Sequence, residues 1–236
     1  MDNPSRAMED TRGAMPSEPA QGLVSALAYL RAADPVLARV IDENPGFDPE
    51  AWVRRWPTLD LFGALVVQVI GQQISVVAAA AIFMRLREHF GGAVPGPAQL
   101  ATVDPEVLLE LGLSRQKART IRELAERFRD GRLSELELRA LTDDDAIARL
   151  TDVKGVGPWT ASGALLIAYR RPDLVRTNDL ALRRAIQVQY DLDQLPAPDE
   201  VADFARRWTP YRSLASSLLL AAGRPGAATR EPNSRD

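Results

Sequence analysis

Cysteine is absent from this 236-residue chain, which excludes disulfides, thiolate zinc sites, iron–sulfur clusters and cysteine nucleophiles. Histidine is almost absent. The single one, His89, closes the charged run Arg87-Glu88-His89 before Phe90-Gly91-Gly92, where a solvated cation suits a helix C-terminus. Serine triads and histidine-bound metals are disfavoured accordingly. Long hydrophobic runs are also missing. The longest, Val76 to Met84, is too short to span a bilayer, and Gln68, Gln72, Gln73 and Ser75 interrupt the stretch before it. No signal peptide is visible, so the expectation is a soluble, cytoplasmic monomer with no membrane partner. An excess of positive charge is lacking as well: the net charge is -3. That argues against nonspecific coating of nucleic acid, which rests on many Lys and Arg contacts to phosphate. A local basic face stays open. Arginines cluster in Ser114 to Arg122 and at Arg183-Arg184, while acids collect in Asp143-Asp144-Asp145; such clusters also read simply as solvated helix faces.

What is present is enough for a sizeable core, with 46% of residues hydrophobic and 26% charged, and one globular unit with room for two lobes is expected. Residues 1–20 are polar and read as a disordered lead; residues 223–236 read as a flexible tail. Between them, over 21–222, the punctuation is helical. Asp104-Pro105 opens a segment that Gly112 closes. Ser114 caps the next, whose Ala118, Ile121, Leu124, Ala125 and Phe128 recur at helical spacing before Gly131. Thr142 and three aspartates mark another N-terminus. Sustained two-residue alternation is hard to find, so the fold class is all-α. The segment Leu61 to Arg87 is apolar nearly all round and is expected at the centre of the bundle, broken at Gly71-Gln72-Gln73-Ile74-Ser75.

The most informative stretch is Val153-Lys154-Gly155-Val156-Gly157-Pro158-Trp159-Thr160-Ala161. A helix ends near Leu150 and another starts at Pro158, which makes a helix, a hairpin and a helix. Two glycines flanking a small apolar residue let the backbone turn tightly. They also bare N–H groups beside a helix N-terminus, where a phosphate is favoured. A bare tight turn is the alternative. Trp159, in the first turn, reads equally as packing or as a pocket wall. Downstream, Asp179 precedes Leu180-Ala181-Leu182-Arg183-Arg184 and reads as an N-cap. The same dipole and backbone N–H groups that hold a cap also keep a carboxylate ionised, so capping and facing a developing cation are compatible.

These residues together resemble the helix-hairpin-helix DNA glycosylases, and within them the 3-methyladenine DNA glycosylase II (AlkA-like) branch. The matching features are Leu150 to Ala161, Asp179 at 24 positions after Gly155, Gly71 to Ser75, Gly112 to Ala118, and Arg207 to Ser213. The resemblance implies a two-lobed helical bundle with the hairpin at 151–160 and an active-site cleft between the lobes. It implies an enzyme that extrudes a damaged nucleotide from double-stranded DNA and cleaves its N-glycosidic bond. Asp179 would be the catalytic carboxylate, stabilising an oxocarbenium-like sugar and directing water. Family members that also cut the strand carry a lysine where this chain has Trp159. With no amine there, no Schiff base forms, and a monofunctional enzyme without lyase activity is expected.

Trp159 would then wall the base pocket and attract a cationic alkylated base such as 3-methyladenine or 7-methylguanine, a contact worth roughly 0.5–2 kcal/mol. Gly155, Val156, Gly157, Lys154 and Thr160 would bind the DNA backbone, and Gln72 and Gln73 would enter the gap left by the flipped nucleotide; the glutamines read otherwise as satisfying a buried helix break. Relatives hold a monovalent cation through main-chain carbonyls that fall here on Thr151, Val153 and Val156, so Na+ or K+ at the hairpin is implied and no other cofactor. Gly163 and Leu220 stand where a relative has aromatic pocket residues. That implies a roomier pocket and a wider lesion range, including 1-methyladenine or 3-methylcytosine. A noncatalytic helix-hairpin-helix module that senses distorted DNA, with Asp179 only a cap, and a glycosylase for oxidised bases or uracil are the competing readings.

Overall fold

The computed structural model describes residues 18–49, 51 and 59–223. Thirteen helices and no strand occur among the described residues, as the absence of alternation predicts. Helix α1 (Glu18–Ala33) begins inside the expected disordered lead; residues 1–17, and the tail beyond Gly223, lie outside the described residues.

The helices divide by what they bury. One core joins α3 (Leu61–Gly71), α4 (Val76–His89), α5 (Pro97–Thr102), α6 (Pro105–Glu110), α7 (Arg115–Arg129), α8 (Glu135–Ala140), α9 (Asp143–Thr151) and α10 (Pro158–Tyr169) around Leu65, Ile70, Phe83, Ile121, Leu124 and Leu150. A second core joins α1, α2 (Pro35–Glu43), α11 (Leu180–Gln189), α12 (Pro198–Arg206) and α13 (Arg212–Ala222) around Leu30, Leu37, Ile186, Trp208 and Leu218. These are the two lobes. The chain starts in the second, builds the whole of the first, and returns.

Local chemistry sets the boundaries. Asp104, Ser114 and Thr142 each accept a backbone N–H from the first turn that follows them, satisfying donors that a helix start leaves bare. Leu61 to Ile70 is buried except for Gln68, so α3 is the axis of the first lobe. The expectation of a central position fails for α4. Its opening residues Val76 and Val77 are 63% and 80% exposed, because Ser75 restarts the helix on a new course after the break, with its hydroxyl accepting from Ala78 N–H at 3.2 Å.

Candidate active site

The hairpin is anchored by its apolar residues and braced from behind by polar ones. Val153 and Val156 are buried in the first lobe. Gly155 has φ +93°, a region open to glycine at little cost, and a Cβ on it would overlap Thr120 Oγ1. That hydroxyl donates to the Lys154 carbonyl at 3.1 Å. Gln72 Nε2 donates to the Gly155 carbonyl and to Thr160 Oγ1, both at 2.9 Å. Gln72 is therefore an internal strut between α3 and the hairpin, as the helix-break reading expects, with its amide nitrogen taken by these two acceptors. Thr160 is likewise buried, its hydroxyl taken by Gln72.

The front of the hairpin is left bare. Val156 N–H turns inward to the Val153 carbonyl at 2.9 Å, which removes one of the three expected phosphate donors. The N–H groups of Gly155, Gly157 and Trp159 have no partner among the described residues, and Gly157 brings no side chain to cap α10. Bare amides at a helix start form a positive end that favours an anion. Lys154 is exposed beside them.

Gln73, the other expected intruding residue, behaves differently from Gln72. It is exposed at the tip between α3 and α4 and holds φ 56°, a left-handed conformation uncommon outside glycine. Behind it, Lys117 Nζ donates to the Ile70 carbonyl at 2.8 Å and so caps the end of α3; burial pushes the Lys117 amine below its usual range.

Asp179 lies where the chain re-enters the second lobe. Its Oδ1 accepts from Ala181 N–H at 2.9 Å and Leu182 N–H at 3.1 Å, capping α11. Its Oδ2 accepts from Trp159 Nε1 at 2.9 Å, across from the first lobe. The two residues singled out in the sequence thus meet, 20 positions apart. A third joins them. Arg176 Nη2 lies 3.4 Å from Asp179 Oδ2, and its guanidinium sits 4.8 Å from the centre of the Trp159 ring. Burial pushes the Arg176 guanidinium down, and the carboxylate beside it pushes it back up; it remains a cation. Sequence reasoning missed Arg176, although its spacing three residues before an N-cap aspartate was a usable signal.

The arrangement combines an anion-binding backbone loop, an aromatic wall that is 38% exposed, and a carboxylate on the far lobe. The HhH-GPD superfamily profile of base excision DNA repair proteins matches residues 66–210, which include all three. The chain belongs to this superfamily. Its HhH-GPD fold is similar to that of the Schizosaccharomyces pombe 3-methyladenine DNA glycosylase Mag1 in complex with abasic DNA, with a TM-score of 0.78 at 25% identity over 87% of this chain and 100% of that one. Curated relatives include DNA-3-methyladenine glycosylase 1 of the same yeast, 29% identical over 66% of this chain and 69% of its own length. A DNA-3-methyladenine glycosylase of Bacillus subtilis is 28% identical over 68% of this chain, which spans 56% of that relative.

For the monovalent cation, the donor set is main-chain oxygen, which suits a hard, weakly charged ion. The carbonyls of Thr151, at the end of α9, and of Val156, in the hairpin, accept no hydrogen bond among the described residues, while that of Val153 accepts one and keeps a second lone pair. No group of three or more acidic or histidine side chains suited to a metal occurs among the described residues. No described helix is long and apolar enough to cross a membrane.

Proposed function

We propose that this chain is a monofunctional DNA glycosylase that removes alkylated bases from double-stranded DNA, acting as a monomer. The observation that carries the reading is the division of labour in Asp179: Oδ1 is held by α11, and Oδ2 faces the first lobe beside Trp159. Because the carboxylate is fixed before substrate arrives, it costs no reorganisation when positive charge develops on the sugar. The names of the relatives support the choice of lesion.

In this reading the Gly155, Gly157 and Trp159 amides grip a phosphate, with Lys154 adding charge. A Na+ or K+ on the carbonyls of Thr151, Val153 and Val156 would neutralise that phosphate further. Gln73 enters the space vacated by the extruded nucleotide. The extruded base stacks on Trp159 on the side away from Arg176, whose guanidinium already lies 4.8 Å from the ring centre, and the ring attracts a methylated, cationic purine. Charge then moves from base to sugar as the bond breaks, towards Asp179, which also orients the attacking water. Trp159 supplies no amine, so the sugar forms no imine and the strand stays intact.

The noncatalytic alternative has one structural point in its favour, since Asp179 does cap α11. Replacing Asp179 by Asn separates the two, because Asn caps about as well without the charge. Expected is release of methylated bases reduced on the order of a hundredfold or more, with affinity for abasic duplex within a few-fold of the parent. Wild-type protein that binds such DNA but frees no base would establish the binding module instead. Nicking of the strand without alkali would overturn the monofunctional assignment.

A further inference from the structure

Gln68 is the one residue between Leu61 and Ile70 that is not buried, so α3 opens towards solvent at that point. Its Oε1 is enclosed and has no hydrogen-bond partner; its carboxamide lies flat against Gly163 of α10, where a Cβ would overlap both Oε1 and Cδ. An enclosed acceptor with nothing to accept is destabilising, and a half-buried position in an otherwise apolar helix would be filled more stably by Leu or Met. A donor from a bound ligand would complete it.

Its place in the fold says which ligand. Gln72, one turn further along α3, reaches Thr160 and the Gly155 carbonyl, so this face of α3 runs along the first two turns of α10. Gly163 stands one turn after Trp159 on α10, which puts the Gln68 carboxamide next along the helix from the aromatic wall. The missing side chain at Gly163 is what admits the carboxamide to this position.

We propose that Gln68 reads the extruded base, pairing its carboxamide with the amino and ring-nitrogen edge of adenine and so favouring methylated adenine over 7-methylguanine. The inference rests on the glycosylase reading and adds the determinant of its selectivity. A carboxamide offers one donor and one acceptor side by side. Adenine presents the complementary pair, N6–H and N7, and Gln or Asn recognises it with two bonds. 3-Methyladenine retains both groups. In 7-methylguanine the corresponding edge carries O6 and a methylated N7, so Oε1 finds no donor and stays unsatisfied.

The test uses DNA treated with a methylating agent, so that both lesions are present in one sample, and measures each freed base by chromatography. Wild-type protein, Gln68→Met and Gly163→Ala are compared; in the last, the new Cβ displaces the carboxamide. Expected is a fall of roughly tenfold in the ratio of 3-methyladenine to 7-methylguanine release in both variants, with little further change when they are combined. The ratio is independent of how much of a variant folds. A ratio unmoved in Gln68→Met, whether or not the two rates fall together, makes Gln68 a filler and overturns the proposal while leaving the glycosylase reading intact. Wild-type protein that frees neither base removes both.

Discussion

At the scale of single residues, two aspartates hold their surroundings in the same pattern. Asp34 caps α2 through Oδ1, accepting from Val36 N–H and Leu37 N–H, while its Oδ2 accepts from Trp208 Nε1 at 2.9 Å and Tyr190 Oη–H at 2.6 Å. Asp179 caps α11 through Oδ1 and binds Trp159 Nε1 through Oδ2. The difference is access: Asp34 is 0% exposed, whereas Asp179, though buried too, is 9% exposed and has the 38% exposed Trp159 beside it. The pattern by itself is structural; the opening beside it makes it available for chemistry. Asp34→Asn turns an amide N–H2 towards two donors and should cost about 3 kcal/mol, a fall in Tm of roughly 6–12 °C by calorimetry. Excision per folded molecule should be unchanged. Asp179→Asn also turns an amide N–H2 towards two donors, Trp159 Nε1 and Arg176, but beside a partly open ring, so it should show a smaller fall in Tm and lost excision.

At the scale of elements, the hairpin depends on one close approach. Gly155→Ala meets two penalties, the positive φ and the overlap with Thr120 Oγ1, and should destabilise the protein by about 2–3 kcal/mol while weakening DNA binding. Thr120→Ala in the same chain should recover part of the loss, since it removes the overlap and leaves the strained backbone. Denaturant melts of the four proteins give the coupling. The helix boundaries here were legible in the sequence, because Asp104, Ser114, Thr142 and the Gly155-Val156-Gly157-Pro158 turn act on backbone within three residues. The hairpin's turn, Trp159 and Asp179 were each singled out in the sequence, but the contact of Trp159 with Asp179 was not. The braces were not: Gln72 reaches the hairpin across 83 residues, and Gln68 meets Gly163 only because α3 packs on α10. Nothing in their neighbours along the chain sets those contacts. The exposed start of α4 was missed for the same reason, since Val76 and Val77 are as apolar as the residues that α3 buries.

At the scale of the molecule, buried phenols tie stability to alkaline pH. Burial pushes the Tyr169 hydroxyl from 10 up to about 12, and burial followed by the Asp34 carboxylate pushes Tyr190 upward too. Below pH 10 both phenols are neutral in the folded and unfolded chain, and their contribution is complete. Above it the unfolded chain releases protons that the fold retains, so stability falls as pH rises through about 12. Melting followed by circular dichroism should drop over this window, and Tyr169→Phe should flatten the drop.

The route of the chain has a further consequence for synthesis. The first lobe, hairpin included, is complete once Leu174 has been made, whereas α1 and α2 wait for α11 and α13 before their apolar faces are covered. A ribosome pausing between these points would expose the bare hairpin amides before Asp179 is in place opposite Trp159. The order of assembly thus leaves the pairing of Asp179 with Trp159 until the last helices close around the first.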